Sequence, residues 1–416
     1  MKAYNGVRPP RLLLKATSME ATFKMKQTDH SVCPCCQHDN LEAFFTIEDA
    51  PIQSVITVDS YDAALAIPRQ TIELNLCHAC GFIFNRTFNR DWDYYTQGYE
   101  DQQSFSPMFR DFIHTVTNRF INRYSMRQKR IFEIGCGKGD FLQLICQLGD
   151  NSGVGLDPAW DASRAPTSAH VNFRKDFFGP ETPQIDSDCI VCRHTLEHIP
   201  NAQQFVRTIR DTCRTQQPIL LFEVPNMLRI LQTHSFWDIF NEHCNYFTPA
   251  SLAGLFRRNY FDVLDLHLEY NQQYLLIEGR ASDKRPTSKH PLEESFSELK
   301  LLVARFTSVM NRQLESWQTR LCAYKDSGRR VVLWGGGSKA VGFLTQFDSI
   351  GLIEHVVDIN PYLAGNFIPG FGIQYQQPDF LKAYQPDVVI AMNGIYTKEI
   401  RSMLSTRKLY PEIIGL

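Results

Sequence analysis

A short apolar stretch ends at Ile134, a run of glycines follows, and an amphipathic stretch opens with Phe141, Leu142, Leu144 and Ile145. That order predicts strand, tight turn and helix. Ser152-Gly153-Val154-Gly155-Leu156-Asp157 reads as the next strand, ending in an acid, and Cys189-Ile190-Val191-Cys192 as a later buried strand. Further strands are expected from Pro218 to Val224, Phe261 to Glu269 and Tyr274 to Arg280. A polar linker, Ala281 to Pro291, precedes Leu292 to Asp326, which lacks Pro and Gly and repeats Leu299, Leu302, Val303 and Phe306 at helical spacing. The strand rhythm then restarts. Arg330 to Trp334 is followed by the turn Gly335-Gly336-Gly337-Ser338-Lys339-Ala340, by His355 to Asp358 and by Asp387 to Ala391. Alternation of this kind predicts an α/β chain.

The 416 residues suggest about two to four domains. The formal net charge of −2 comes with no long basic block, which argues against a general nucleic-acid or membrane-surface partner. No apolar run has the length of a membrane span. Residues 1–30 are expected to be a disordered extension, because Leu12-Leu13-Leu14 is too short for a secretory signal core. A cytoplasmic protein, monomeric or homodimeric, is expected.

Cys33-x-x-Cys36 and Cys77-x-x-Cys80 form two knuckles that suit a tetrahedral zinc. Four thiolates leave no open position, so the expected role is structural, in a domain over residues 31–90. Cys35 and His38 are spare donors nearby. Cys189 and Cys192 are expected on different faces of a buried strand, as packing.

The turn after Ile134 carries chemistry. Glu133-Ile134-Gly135-Cys136-Gly137-Lys138-Gly139 puts a carboxylate beside a glycine turn at a helix N-terminus. The acid would repel a pyrophosphate but suits a cationic amino acid moiety. This resembles the S-adenosylmethionine loop of class I methyltransferases, with Glu133, Gly135, Gly137 and Gly139 as cofactor residues. Asp157 is placed for ribose hydroxyls, Asp176 and Phe177 for the adenine, and Arg193 and His194 end the following strand. The turn at Gly335 fits G-x-G-x-x-A, so NAD binding is a rival there, while Lys339 would also suit a substrate diphosphate.

The whole order resembles the three-domain, zinc-containing sugar C-methyltransferases. The resemblance covers roughly Ser31 to Leu416 and is most specific from Phe236 to Phe247, after Glu223-Val224-Pro225-Asn226. It implies a class I methyltransferase (Rossmann-like) core over 91–280, a linker and long helix over 281–328, and a C-terminal Rossmann-like substrate domain over 329–416. It implies S-adenosylmethionine and zinc as cofactors, and a nucleotide-linked keto sugar as substrate. His243 is then the catalytic base, with Glu242, Tyr99 and His198 beside it. Asn226, Tyr246, Lys339 and Asn393 would meet substrate. Phe240 stands where the family usually has Tyr, and Pro369-Gly370-Phe371-Gly372 departs from its small-residue run.

The chemistry stands on its own argument. A carbon nucleophile must be generated before it attacks a sulfonium methyl. A base removes the proton alpha to a ketone, and histidine suits this near neutral pH, with a reference pKa of about 6.5. Glu242 is a candidate to orient the His243 ring. Methyl transfer to oxygen or nitrogen of another metabolite, a non-catalytic binding module, and a dehydrogenase using the Gly335 turn are the alternatives.

Overall fold

The computed structural model describes residues 31–89, 98–164, 170–182, 186–213 and 217–416. The extension expected over 1–30, and the domain junction expected at residue 90 or 91, lie outside the described residues.

In the N-terminal part, β1 (Leu41–Pro51) pairs antiparallel with β2 (Arg69–Cys77), and β2 with β3 (Ile83–Asn85). Ile72, Leu74 and Leu76 alternate along β2 and are buried on one side, the period of a half-covered sheet. The chain between β1 and β2 leaves the sheet and reaches the C-terminal part, where Val58 bridges Phe367 and Gly370 N–H donates to the Ala64 carbonyl. The departure from the family's small-residue run therefore sits at a domain contact: a Cβ on Gly370 would fall 2.4 Å from Pro51, and one on Gly372 2.6 Å from Tyr61.

The central part contributes β4 (Arg130–Ile134), β5 (Ser152–Leu156), β6 (Val171–Arg174), β7 (Cys189–Arg193), β8 (Ile219–Pro225), β9 (Asn245–Tyr246), β10 (Phe261–Glu269) and β11 (Tyr274–Ala281). Seven of them form one sheet in the order β10-β11-β8-β7-β4-β5-β6, with β11 antiparallel to both neighbours. The order reverses between β4 and β7, which opens a crevice beyond the carboxyl ends of those strands. Cys189 and Cys192 are buried and belong to core clusters on opposite faces of the sheet. Strand β9 does not join this sheet. It pairs with β3 and completes the N-terminal one.

The C-terminal part is a parallel sheet of β12 (Val331–Trp334), β13 (Val356–Val357), β14 (Tyr375–Gln376), β15 (Val388–Ala391) and β16 (Glu412–Gly415), in the order β14-β13-β12-β15-β16. Its order also reverses at the first strand, so a second crevice opens beyond β12.

The helix Phe296–Asp326 ties the parts together. It begins later than its apolar periodicity suggests because Ser295 and Glu298 form a capping box. Leu299, Val303, Phe306, Met310, Trp317, Leu321 and Tyr324 make a buried stripe, with steps of three, four or seven residues that keep to one helix face. Phe306 packs edge-on to Phe45 and Phe44 of β1 and stacks on His234, while Trp317 meets Phe343 of the helix Ser338–Phe347. One core cluster thus draws on all three parts. Truncating Phe306, which is fully buried, to Ala should cost about 3–5 kcal/mol. Urea unfolding should show this as a lower midpoint, with Phe306→Leu losing much less.

Candidate functional site

The two crevices face each other across one cavity of about 410 Å³. Its wall takes in the turn after β4, the ends of β7 and β8, residues 99–106, the 238–243 loop and the turn after β12. Among the predicted site residues, Tyr99, Glu133, Gly135, Gly137, Arg193, His194, His198, Asn226, Glu242, His243, Lys339 and Asn393 line it. Gly139, Asp157, Asp176, Phe177 and Tyr246 are not part of that lining.

At the turn after β4, Gly135 adopts φ 69°, and a Cβ there would lie 2.0 Å from Thr195 Oγ1. Only glycine fits. Gly137 also has positive φ, and its N–H donates to Asp157 Oδ2 at 2.9 Å. Asp157 Oδ1 accepts from Ala159 N–H at 2.7 Å. The carboxylate expected to hold a ribose thus braces the turn from behind. Asp176 and Phe177 are exposed, Phe177 by 64%. The expectation that they face an adenine has no support in their position, because the chain past β6 turns them to solvent.

Glu133 is buried, and its Oε2 has no hydrogen-bond partner. Burial pushes its pKa up to about 8, against the pull of Arg193. Arg193 lies over the Phe141 ring and bonds Glu223 through Nε and Nη2, at 3.0 and 3.1 Å. His194 Nε2 meets Glu223 Oε1 at 2.8 Å. Burial works against the His194 charge, but Glu223 and Glu197 prevail and push it up to about 9. Glu223 shows the converse: burial favours the neutral acid, yet Arg193 and His194 bring it down to about 2.

His243 is buried with its ring 4.1 Å from that of Phe240 and 4.8 Å from that of His198. Burial holds its pKa well below the usual histidine range, and the charges of His198 and His194 act in the same direction. His198 Nδ1 lies 3.0 Å from the Glu242 carbonyl. The Glu242 side chain does not orient His243. Its Oε1 accepts from Ser54 N–H and its Oε2 from Ser54 Oγ, both at 2.8 Å. Residues 241 and 242 form a turn closed by the His243 N–H on the Phe240 carbonyl, and the adjacent pair is divided between two tasks. Ser54 Oγ also lies 3.1 Å from Ser338 Oγ. One hydroxyl therefore joins the three parts of the protein at the cavity wall.

Tyr246 is buried in β9 and gives its hydroxyl to the Phe240 carbonyl at 3.2 Å. It supports the 240–246 loop from behind and does not meet the cavity as expected. Asn226 caps the helix Met227–Thr233 and donates to the Gln272 carbonyl. Lys339 Nζ pairs with Asp238 Oδ1 at 2.6 Å and donates to Gln273 Oε1 at 3.1 Å. Asn393 and Gln273 exchange two amide hydrogen bonds. In the Gly335 turn, the Gly336 N–H is taken by Asp358 Oδ2, and a Cβ there would strike the Tyr375 ring at 2.2 Å. Packing explains that glycine without a pyrophosphate.

At the far side of the N-terminal sheet, the sulfurs of Cys33, Cys36, Cys77 and Cys80 lie within 4.8 Å of one another. Cys33 and Cys80 are 3.7 Å apart, and Cys36 and Cys77 3.6 Å. A tetrahedral zinc with bonds of about 2.3 Å requires sulfur separations of about 3.8 Å, so the four residues fit that ion. Cys35 instead accepts from Arg258 Nη2 at 2.7 Å, and His38 is exposed.

Ser54, Asp101, Glu197, Asp238 and Gln273 also line or brace the site; Asp238 lies in the specific stretch Phe236 to Phe247, without having been singled out. Glu197 stands within the run that marks the end of β7. Ser54 lies in a connection with no motif.

Glu242 gives a pH signature. Burial pushes its pKa up to about 7 from an ordinary 4.5, against the Ser54 donors. The native state then keeps a proton that the unfolded chain has shed, so this group's contribution to stability falls as pH rises through that window. Ser54→Ala removes a donor to the charged form. It should cost about 1–3 kcal/mol at pH 8 and less at pH 6, read as the shift in thermal midpoint at each pH.

The methyltransferase-domain family matches residues 108–266, and the C-methyltransferase C-terminal-domain family matches residues 293–408. The C-methyltransferase NovU of Streptomyces niveus is 23% identical over 292 residues, covering 65% of this chain and 67% of that protein. Two solved structures also align in part. The 1,6-didemethyltoxoflavin-N1-methyltransferase of Burkholderia thailandensis does so at 16% identity over 42% of this chain and 82% of its own, with a TM-score of 0.35. The magnesium protoporphyrin IX methyltransferase of Synechocystis PCC 6803 does so at 14% identity over 44% and 91%, with a TM-score of 0.34. The chain thus carries a methyltransferase domain and a C-methyltransferase C-terminal domain in tandem, and it is an S-adenosylmethionine-dependent methyltransferase.

Proposed function

We propose that the protein methylates a carbon alpha to the ketone of a nucleotide-linked keto sugar, with His243 as the base. The observation that carries this reading is a buried histidine, held neutral, in the wall of a cavity shared by the two α/β parts. A neutral imidazole takes the alpha proton, and the C–H electron pair enters the enolate. S-adenosylmethionine supplies an electrophilic methyl carbon, which accepts that pair as the S–C bond breaks. Glu133, Gly135, Gly137 and Arg193 are the residues proposed to hold the cofactor. The unpartnered, buried oxygen of Glu133 suits a cationic amino group, and pairing with it favours the charged carboxylate. Lys339 and Asn393, on the opposite wall, are proposed to meet the nucleotide side of the substrate. Tyr99 and His198 border the same space.

The test is deuterium wash-in from heavy water into nucleotide-linked 4-keto sugars, followed by mass spectrometry. Wild type should exchange the alpha proton and then transfer methyl once cofactor is added. His243→Ala should slow exchange about 100-fold or more while binding the cofactor. Exchange at the wild-type rate in that variant, or no exchange with any sugar, would sink this reading.

The four-cysteine site is proposed to hold a structural zinc. Metal analysis should find about one zinc per chain, and its removal by chelator should lower the thermal midpoint. A metal-free protein of unchanged midpoint would contradict this. Among the described residues, no helix is long and apolar enough to cross a membrane. None of the twelve cysteines forms a disulfide, which supports a reducing compartment such as the cytoplasm.

A further inference from the structure

A buried base must become a buried cation when it accepts its proton, and that cation needs a counter-charge. The neighbour in sequence does not provide one, since both Glu242 oxygens are committed to Ser54. Glu197 is placed differently. It sits in the short turn Leu196–His198 after β7, is 1% exposed, and neither carboxylate oxygen has a hydrogen-bond partner. One of its oxygens, a ring nitrogen of His198 and a ring nitrogen of His243 lie within 4.8 Å of one another.

We infer that Glu197 is the positioning carboxylate of the base, holding the His243 ring and balancing its charge once it carries the substrate proton. This rests on the reading of His243 given above.

The surroundings support the assignment. The titratable groups around Glu197 are Cys192 and His194 at the end of β7, His198 in its own turn, and His243 from the loop before β9. The Cys192 thiol is held neutral by burial. His194 is the standing cation. It faces Glu197 at 3.5 Å but makes its shorter contact, 2.8 Å, with Glu223. Glu223 in turn is bonded by Arg193. Arg193 alone balances Glu223, which leaves Glu197 as the carboxylate shared by the cation at His194 and the rings of His198 and His243. The backbone fixes its position as well. The Glu197 carbonyl accepts from Cys244 N–H at 3.0 Å and Cys244 Sγ at 3.3 Å, which pins the turn to the residue after His243. In the step itself, the alpha proton passes to His243, the C–H pair stays on the sugar as the enolate, and the carboxylate remains ionised opposite the new imidazolium. No proton moves to Glu197.

The experiment follows alpha-proton exchange against pH for wild type, Glu197→Gln, Glu197→Asp and His243→Asn, with cofactor affinity measured by calorimetry on each. In wild type the rate should rise with pH to a plateau as His243 loses its proton. Glu197→Gln removes the charge that favours the imidazolium. Its rising limb should move about one unit to lower pH and its plateau should fall about 100-fold, with cofactor affinity retained. Glu197→Asp keeps the charge, so its limb should stay within about half that shift and keep the proposal testable if Glu197→Gln folds poorly. A wild-type profile in Glu197→Gln, or a limb displaced as far in Glu197→Asp, would overturn the inference and leave the His243 reading intact. Exchange by His243→Asn would overturn both. A bound metal beyond the four-cysteine site that is lost in Glu197→Gln would make the residue a ligand and overturn the positioning role.

Discussion

Burial of one apolar stripe, on the helix Phe296–Asp326, is the constraint on which the rest of the molecule depends. The N-terminal sheet has two long strands beside a three-residue and a two-residue one, and the C-terminal sheet relies on two-residue strands at β13 and β14. Neither has the area to cover its own hydrophobic face. Phe306 closes the first against the central part and Trp317 closes the last. Because the stripe keeps its spacing through the whole helix, the sheets share one core instead of hanging on linkers.

That arrangement explains the site. Each of the two α/β sheets opens a crevice where its strand order reverses, and the helix sets those crevices mouth to mouth. One wall is built from β4 and β7, and the opposite wall from β12 and β15. The hydroxyl of Ser54 meets Glu242 on one side and Ser338 on the other, so the connection between β1 and β2 is a structural part of the cavity.

Legibility in the sequence followed distance along the chain. The turn at Gly135, the strand at Cys189 and the helix stripe are local patterns, and each stands where its residues indicated. The four cysteines were legible because coordination chemistry restricts which residues sit together. Glu242 was read as a partner of His243 because adjacency in sequence suggests contact, while its carboxylate is held by Ser54, 188 positions away. Tyr246 belongs to a strand of only two residues, too short to show alternation. Asp176 and Phe177 follow β6 into a segment whose direction no pattern specifies. Ser54 and Glu197 act through partners that only the folded chain brings near.

The Ser54 contact also bears on how the protein is made. Ser54 and Ser338 are separated by 284 positions, and β9, which closes the N-terminal sheet, arrives some 160 residues after β3 on the nascent chain. The first sheet therefore leaves the ribosome with β3 as an open edge, and it stays unpaired until most of the central part has been synthesised. Contacts so remote are the slowest to form, and an unpaired strand edge invites association in the meantime. The four-cysteine cluster is complete by residue 80, well before that edge is covered. A metal bound there would hold the early sheet in register during the interval, so the four sulfurs would matter to assembly before they matter to the finished fold.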